Sequence, residues 1–440
     1  MKMKMRRIAT VAAVTMTSAI LLAGCSAANP NTGSDDAEVV WNEPTASLEG
    51  VTLDFWTATT AASLADQVID AFEKATGAKI NVIIVPDIYE TNAPTRIATG
   101  AIPDLAMWQP TASMLALLKP ESGLQNFDEA PWIDSLTPAV QELGKVDGTR
   151  YAAFVSSPSV IGMYYNKKVF AEAGIDELPD SFEELMKDAD AIKALGIAPF
   201  FGAVGDQWPT QWWPQVLLAE EVQDGLWDRV NANEEGFDDE TIQAAIQQYK
   251  DMLDDGYFND DNLTSTFSES GPALLSGEAA MVLQVNPFIS LLQASADTAT
   301  IDKNIGWFPI SRDGNVGISI PGVENAVVAP KTGDAKKEAA ARQFIRFWLE
   351  TGYAAYIEDA GAISIQPNVE SPTGVPAIAQ LAADALTNSA GSMQQEAVAN
   401  PDLYVFLANM AQGEMTPLEV GKSTQSQFAQ VAAALGIDGF

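Results

Sequence analysis

The sequence predicts an α/β fold with a mostly parallel sheet, and three segments near the start carry that prediction. Val51-Thr52-Leu53-Asp54-Phe55-Trp56 alternates apolar and polar side chains, the period of a strand. Leu64, Val68 and Phe72 recur every four residues and Gly77 follows as a stop, so this stretch is a helix. Ile80 to Val85 is a nearly continuous β-branched run, expected of a strand covered on both faces. Asp104 to Trp108 adds a third strand. Strand, helix, strand, helix, strand is the order of a parallel α/β sheet.

The second half keeps that character. Ser181-Phe182-Glu183-Glu184 reads as a capping box, with Phe182, Leu185, Ala189, Ile192 and Leu195 on one helical face and Gly196 ending it. Asp239 opens a helix through Ile242, Ile246, Tyr249 and Leu253. Ala279 to Val285 is a buried strand. Ala335 to Glu350 is a helix with Ala341, Phe344, Ile345 and Trp348 inward, and the tail from Pro376 is Ala-rich and helical. With 47% hydrophobic residues in 440, the chain has material for a large core, divided between two domains.

The N-terminus reads as an export signal. Lys2, Lys4, Arg6 and Arg7 precede an apolar run from Ile8 to Ala23, too short for a stable membrane span. It ends Leu22-Ala23-Gly24-Cys25. That string resembles a bacterial lipobox, which implies a diacylated Cys25 at the start of the mature chain. An ordinary secretory signal with an incidental cysteine is the alternative. Residues 1–24 are then a signal peptide and 25–48 a flexible tether rich in Ala, Asn, Ser, Asp, Pro and Gly. The expected location is the extracellular face of the cell membrane, with lipid as the only membrane contact.

Composition excludes more than it assigns. There is one Cys and no His, which removes disulfides, His-ligated zinc, Ser/His/Asp and Cys/His catalysis. The net charge of −35 opposes nucleic acid and anionic lipid. The acidic stretch Asp251 to Asn262 lacks the alternating spacing of a calcium loop. No P-loop is present, so ATP hydrolysis is not expected. No cofactor and no metal are expected, and the protein is expected to be a monomer.

Several strings then occur together in one order: Phe72-Glu73-Lys74-Ala75-Thr76-Gly77; Gly100-Ala101-Ile102-Pro103-Asp104-Leu105; Tyr164-Tyr165-Asn166-Lys167-Lys168-Val169-Phe170; Ser276-Gly277-Glu278-Ala279-Ala280-Met281; and Gly306-Trp307-Phe308-Pro309. Over residues 51 to 370 this series resembles the extracellular solute-binding proteins of bacterial ABC carbohydrate importers, the maltose- and multiple-sugar-binding type. The resemblance implies a two-lobed fold of the periplasmic-binding-protein kind, with a multi-strand hinge and a ligand cleft between the lobes. Residues 49–155 with 320–364 would form one lobe, and 156–319 with 365–440 the other. Tyr151 to Pro158, Ser311 to Val323 and Gly361 to Pro367 are the hinge candidates. It also implies a small carbohydrate ligand and permease subunits of an ABC importer as partners.

A pyranose offers one apolar face and a rim of hydroxyls, so aromatic rings with amides and carboxylates beside them are the groups to seek. Trp56 ends the first strand; Trp108 and Gln109 end the third. Asp206, Trp208, Gln211, Trp212 and Trp213 crowd one loop, and three tryptophans in six residues exceed what a short amphipathic segment must bury. Asn286 and Phe288 follow the strand at Ala279, where relatives often carry a stacking tryptophan. Glu90 and Glu324 are loop carboxylates; Ser156 and Ser157 lie in the first hinge. Trp227 and Trp348 read as core, and Trp307 as structural. A lipid-anchored glycoside hydrolase or lyase is the rival function, since that chemistry needs only two carboxylates.

Overall fold

The structure is a computed structural model that describes residues 40–86 and 89–440; the leader, Cys25 and most of the tether lie outside the described residues. In chain order the strands are β1 (Thr52–Thr57), β2 (Lys79–Ile84), β3 (Leu105–Met107), β4 (Lys145–Val146), β5 (Thr149–Arg150), β6 (Ala152–Phe154), β7 (Ser159–Asn166), β8 (Ala198–Phe200), β9 (Ala279–Gln284), β10 (Ile305–Phe308), β11 (Gly317–Ile320), β12 (Ala326–Val328) and β13 (Ser389–Gly391). They form two main sheets. One runs β2-β1-β3-β12-β6; the other runs β13-β11-β7-β9-β8, with β10 also on β7. β4 and β5 make a small hairpin.

In the first sheet β1, β2 and β3 are parallel and β12 is antiparallel to its neighbours. β2 is at its edge and pairs only with β1. Lys79, Asn81 and Ile84 are exposed and only Ile80 is buried, which corrects the expectation of a strand covered on both faces. The helix after β1 spans Asp66–Thr76 and ends on Gly77 in the left-handed conformation, as its sequence predicts. Leu64 lies before it, and Val68, Ile69 and Phe72 form its buried face. Phe72 meets Phe344 and Phe347 edge-on, while Phe55 meets Phe344 and Trp348, so the first sheet is closed by the Ala335–Arg346 helix and the turn after it. Each such ring contributes about 1.5–3 kcal/mol by leaving water. Asp104 adds a polar tie. Its carboxylate accepts from the Asp54 amide (2.8 Å) and from Lys337 (2.9 Å), joining β1, the approach to β3 and that helix.

The second sheet separates two apolar clusters by strand periodicity. Val160, Tyr164 and Val282 share a core with the first sheet, whereas Ile161, Met163, Met281 and Leu283 face the helices Phe182–Ala194 and Glu240–Asp254. Leu195, expected on the inner face of the first of these helices, is exposed beyond its end. Two glycines in this sheet are required by aromatic neighbours. Trp307 lies over Gly162 and Tyr165 over Gly306, and a Cβ at either glycine would overlap the ring. This is how β10 comes to sit tightly on β7.

Order begins earlier than composition implies. Trp41 packs edge-on against Trp132 (4.9 Å) and near Phe127 (6.1 Å). Arg346 donates to the carbonyls of Trp41 (3.2 Å) and Asn42 (2.8 Å), and Gln343 to that of Ala46 (2.8 Å). Residues 41–46, assigned by composition to the tether, are therefore strapped to the first lobe. Among the described residues no helix is long and apolar enough to cross a membrane.

Gly162→Ala should lower the free energy of unfolding by about 1–3 kcal/mol, because buried Trp307 has to move. Denaturant unfolding of the two proteins checks this; equal midpoints would contradict the packing described.

Candidate functional site

The chain passes between the sheets at residues 155–158, from β6 to β7, and at 321–325, from β11 to β12. These two crossings are bound together by one buried side chain. Asn325 donates to Ser156 Oγ and to the Ser157 carbonyl, both at 2.9 Å, and accepts from the Gly322 amide at 2.6 Å. Its backbone carbonyl receives the Val155 amide at 2.8 Å. Every polar arm of this amide is thus used in joining the crossings.

Several sequence candidates gather around this knot. Glu324 precedes Asn325, and its carboxyl lies over Gly322, where a Cβ would collide with it. Burial pushes Glu324 above the usual carboxylate range; its own backbone amide opposes this, and the charge of Glu90 adds to the rise. Glu90 sits in the first turn of the Tyr89–Ala98 helix. Neither carboxylate has an ion-pair partner among the described residues. Gln109 donates to the Pro321 carbonyl (3.1 Å). Ser157 is half-buried, and Asn286 accepts from the Val160 amide (3.2 Å), so it stands where the first crossing enters β7. Buried Tyr356 lies beside Ser156 and Glu324.

The second group lies in the Val204–Leu217 segment. Trp208 is half-buried, 5.8 Å from Trp212 and 5.2 Å from Phe267. Asp206 accepts from the Phe267 amide (2.7 Å), which fixes the start of the Phe267–Ser276 helix beside Trp208. Gln211 donates to the Trp208 carbonyl (3.1 Å) and accepts from Gln394 (2.5 Å). Trp56 is buried, with the Arg96 guanidinium 6.0 Å from its ring centre.

Three expected platforms are core residues here, and the expectation for them is revised. Trp108 is fully buried and spends its indole N–H on the Met114 carbonyl (3.1 Å). Phe288 is fully buried against Tyr164 (4.7 Å). Trp212 and its neighbour Trp213 are buried in the second lobe's outer cluster, where Trp213 meets Phe200 (4.9 Å) and Phe258 (5.9 Å). Composition counted tryptophans in one segment; the partners that bury them come from distant strands and loops. Asn325, Phe267, Tyr356 and Gln394 were missed. Only Asn325 carried a signal, a polar residue after Pro321-Gly322 at the end of a hinge candidate drawn two residues too short.

Two α/β lobes joined by polar crossings, with carboxylates there that have no ion-pair partner among the described residues, are the architecture of a protein that holds a solute between lobes. The chain belongs to the family of bacterial extracellular solute-binding proteins, whose model matches residues 57–355. It is 26% identical over 220 residues to the xylose/arabinose-binding protein XacG of Haloferax volcanii, covering 49% of this chain and 46% of that one. The match thus spans about half the length of that relative. With the diacetylchitobiose binding protein DasA of Streptomyces coelicolor it is 24% identical over 365 residues, covering 78% and 76%. A solved chitin oligosaccharide binding protein superposes with a TM-score of 0.70 at 20% identity, covering 87% of this chain and 99% of that one; it establishes the two-lobed fold. The hydrolase alternative falls with this assignment, because the family consists of binding proteins.

Two outcomes follow from the knot. Asn325→Ala leaves the Ser157 carbonyl and Gly322 amide without their partner, and should cost about 2 kcal/mol in denaturant unfolding. Glu324→Gln tests the raised carboxyl. A raised folded value means the folded state holds its proton longer than the unfolded chain, so stability is lost as pH rises through that range. The melting temperature of Glu324→Gln relative to wild type should therefore increase from pH 4 to pH 8; a flat difference would refute it.

Proposed function

We propose that the protein captures a carbohydrate, specifically an oligosaccharide, and delivers it to the permease subunits of an ABC importer while tethered by lipid on Cys25 at the outer face of the cell membrane. The observation that carries this reading is the family match over 57–355, which spans both crossings and every candidate ligand residue but Trp56. Relatives named for diacetylchitobiose and for xylose or arabinose support a sugar ligand. In this reading the protein acts as a monomer. The lobe formed by 49–155 and 320–364 moves against that formed by 156–319 and 365–440.

The ligand contacts divide by chemistry. Trp208 supplies the half-exposed ring on which a pyranose face stacks. Glu90, Gln109, Ser157, Asn286 and Glu324 line the crossings and hold hydroxyls through directed hydrogen bonds. A carboxylate without a cationic partner keeps its acceptor lone pairs for a ligand. Trp56, Asp206 and Gln211 hold these groups in place.

Isothermal titration against neutral mono- and oligosaccharides checks the ligand class. Binding of an oligosaccharide is expected, with at least a tenfold loss in Trp208→Ala; binding only of peptides or polyols would reject the reading. Cys25→Ala should bind sugar unchanged in solution yet fail to support uptake in cells. Normal uptake by that variant would reject the tether's role.

A further inference from the structure

A cavity of about 690 Å³ opens beside the crossings, with Pro110 and Pro321 on its wall next to Gln109. One wall comes from the first lobe: Ala112 and Ala116 of the helix after β3, the β4–β5 hairpin region, and Phe154 at the end of β6. The other comes from the second lobe: Asp228, Asn231, Gln395, Glu396 and Val398. Beside the cavity the lobes touch directly, the Ala112–Ala116 helix packing on the short helix Met393–Glu396. The second helix is carefully seated. Ser319 bonds Gln395 (2.8 Å), Gln215 accepts the Met393 amide (2.9 Å), and Asn231 holds both the Glu396 carbonyl and the Val398 amide (2.9 Å each).

Glu396 is the exception to this tidy seating. Its carboxyl is pressed against Gly391, where any Cβ would overlap it. Asp228 in the same lobe acts on it with like charge, and Glu396 has no ion-pair partner among the described residues. Arg229, next on that helix, is engaged with Glu235 (2.8 Å). The Ala112–Ala116 helix carries no charge. Across the cavity stand Lys119, Glu121, Glu142, Lys145 and Asp147; Lys145 is paired with Glu142 (2.8 Å), whereas Lys119 is exposed and has no ion-pair partner among the described residues.

We propose that Glu396 is a proton-controlled latch between the lobes: neutral, it seats the Met393–Glu396 helix against the first lobe; ionised, it leaves its seat for the cavity and the contact loosens. A half-buried carboxylate that feels a like charge and has no cation is destabilised, and the cavity that Glu396 lines extends to Lys119. Burial is the main force against ionisation, Gly391's amide resists it and Asp228 assists it, and together they raise the carboxyl from its ordinary 4.5 to about 7. The sign follows. An unseated carboxyl in water returns towards its ordinary value. The ratio of seated to unseated protein therefore falls between pH 4.5 and 7, by at most about tenfold per pH step, and levels off above 7. The relative orientation of the lobes, and any solute affinity that depends on it, shifts over the same window.

The test needs no sugar, so it stands or falls apart from the carbohydrate reading. Cys25→Ser removes the only native cysteine, and Ser122→Cys with Glu234→Cys places one spin label on an exposed site of each lobe. Pulsed dipolar distances between pH 4.5 and 8.5 should show two populations whose ratio changes at least tenfold and is flat above pH 7. Glu396→Gln, labelled alike, should hold one distribution throughout, and Asp228→Asn at its exposed site should change the ratio less. An unchanging parent distribution, or the same pH response in Glu396→Gln, overturns the latch. If Glu396→Gln does not fold, Asp228→Asn decides: a response identical to the parent's overturns it.

Discussion

The Asn325 side chain is the constraint on which the rest of the molecule turns. Two sheets are connected by short crossings, and a buried crossing must satisfy its backbone groups without a strand partner. Asn325 does so for both at once, bonding Ser156, Ser157 and Gly322. Each bond is worth about 1 kcal/mol net, but leaving one unmade costs more than making it gains. The joint is therefore stiff at this point, with Ser157 and Glu324 on either side of it.

The stiff joint explains why the candidate site is polar at the hinge and aromatic further out. Glu324 and Glu90 approach each other because the crossings and the Tyr89–Ala98 helix converge there, and neither has an ion-pair partner among the described residues to offset them. Trp208 lies on a segment whose other two tryptophans are committed to the second lobe's core. Trp212 and Trp213 act as the root, and Trp208 is the part left half-exposed above it. Phe267, fixed from below by Asp206, keeps that ring from folding inward.

Elements were legible where the pattern is local. The β1 strand, the helix stopped at Gly77 and the buried β9 follow from period and cap alone. Edge position was not legible. β2 has the composition of a central strand, and only the sheet order reveals that its second side is unpaired. The fate of each tryptophan was illegible for the same reason: Trp213 is buried by Phe200 and by Phe258, which lies 45 residues further on, and no local window contains both. The tether boundary failed differently. Pro44, Asn42 and Ser47 read as loop and are loop, yet Arg346 and Gln343, about 300 residues away, supply hydrogen bonds that order them. Composition reports the absence of regular structure, not the absence of partners.

A chain without histidine has no side chain whose ordinary titration falls near neutrality. Any response to pH in that range must come from carboxyls displaced upward by burial. Two in this fold stand at mechanically sensitive places: Glu324 at the crossings and Glu396 where the lobes touch. The acidity of the chain makes such displacement easy to produce. With 59 acidic residues against 24 basic ones, a carboxyl that is buried meets another carboxylate more readily than a cation. Glu324 meets Glu90 and Glu396 meets Asp228. The excess negative charge that keeps the surface hydrated thus also determines which internal groups hold protons, at the crossings and where the lobes touch.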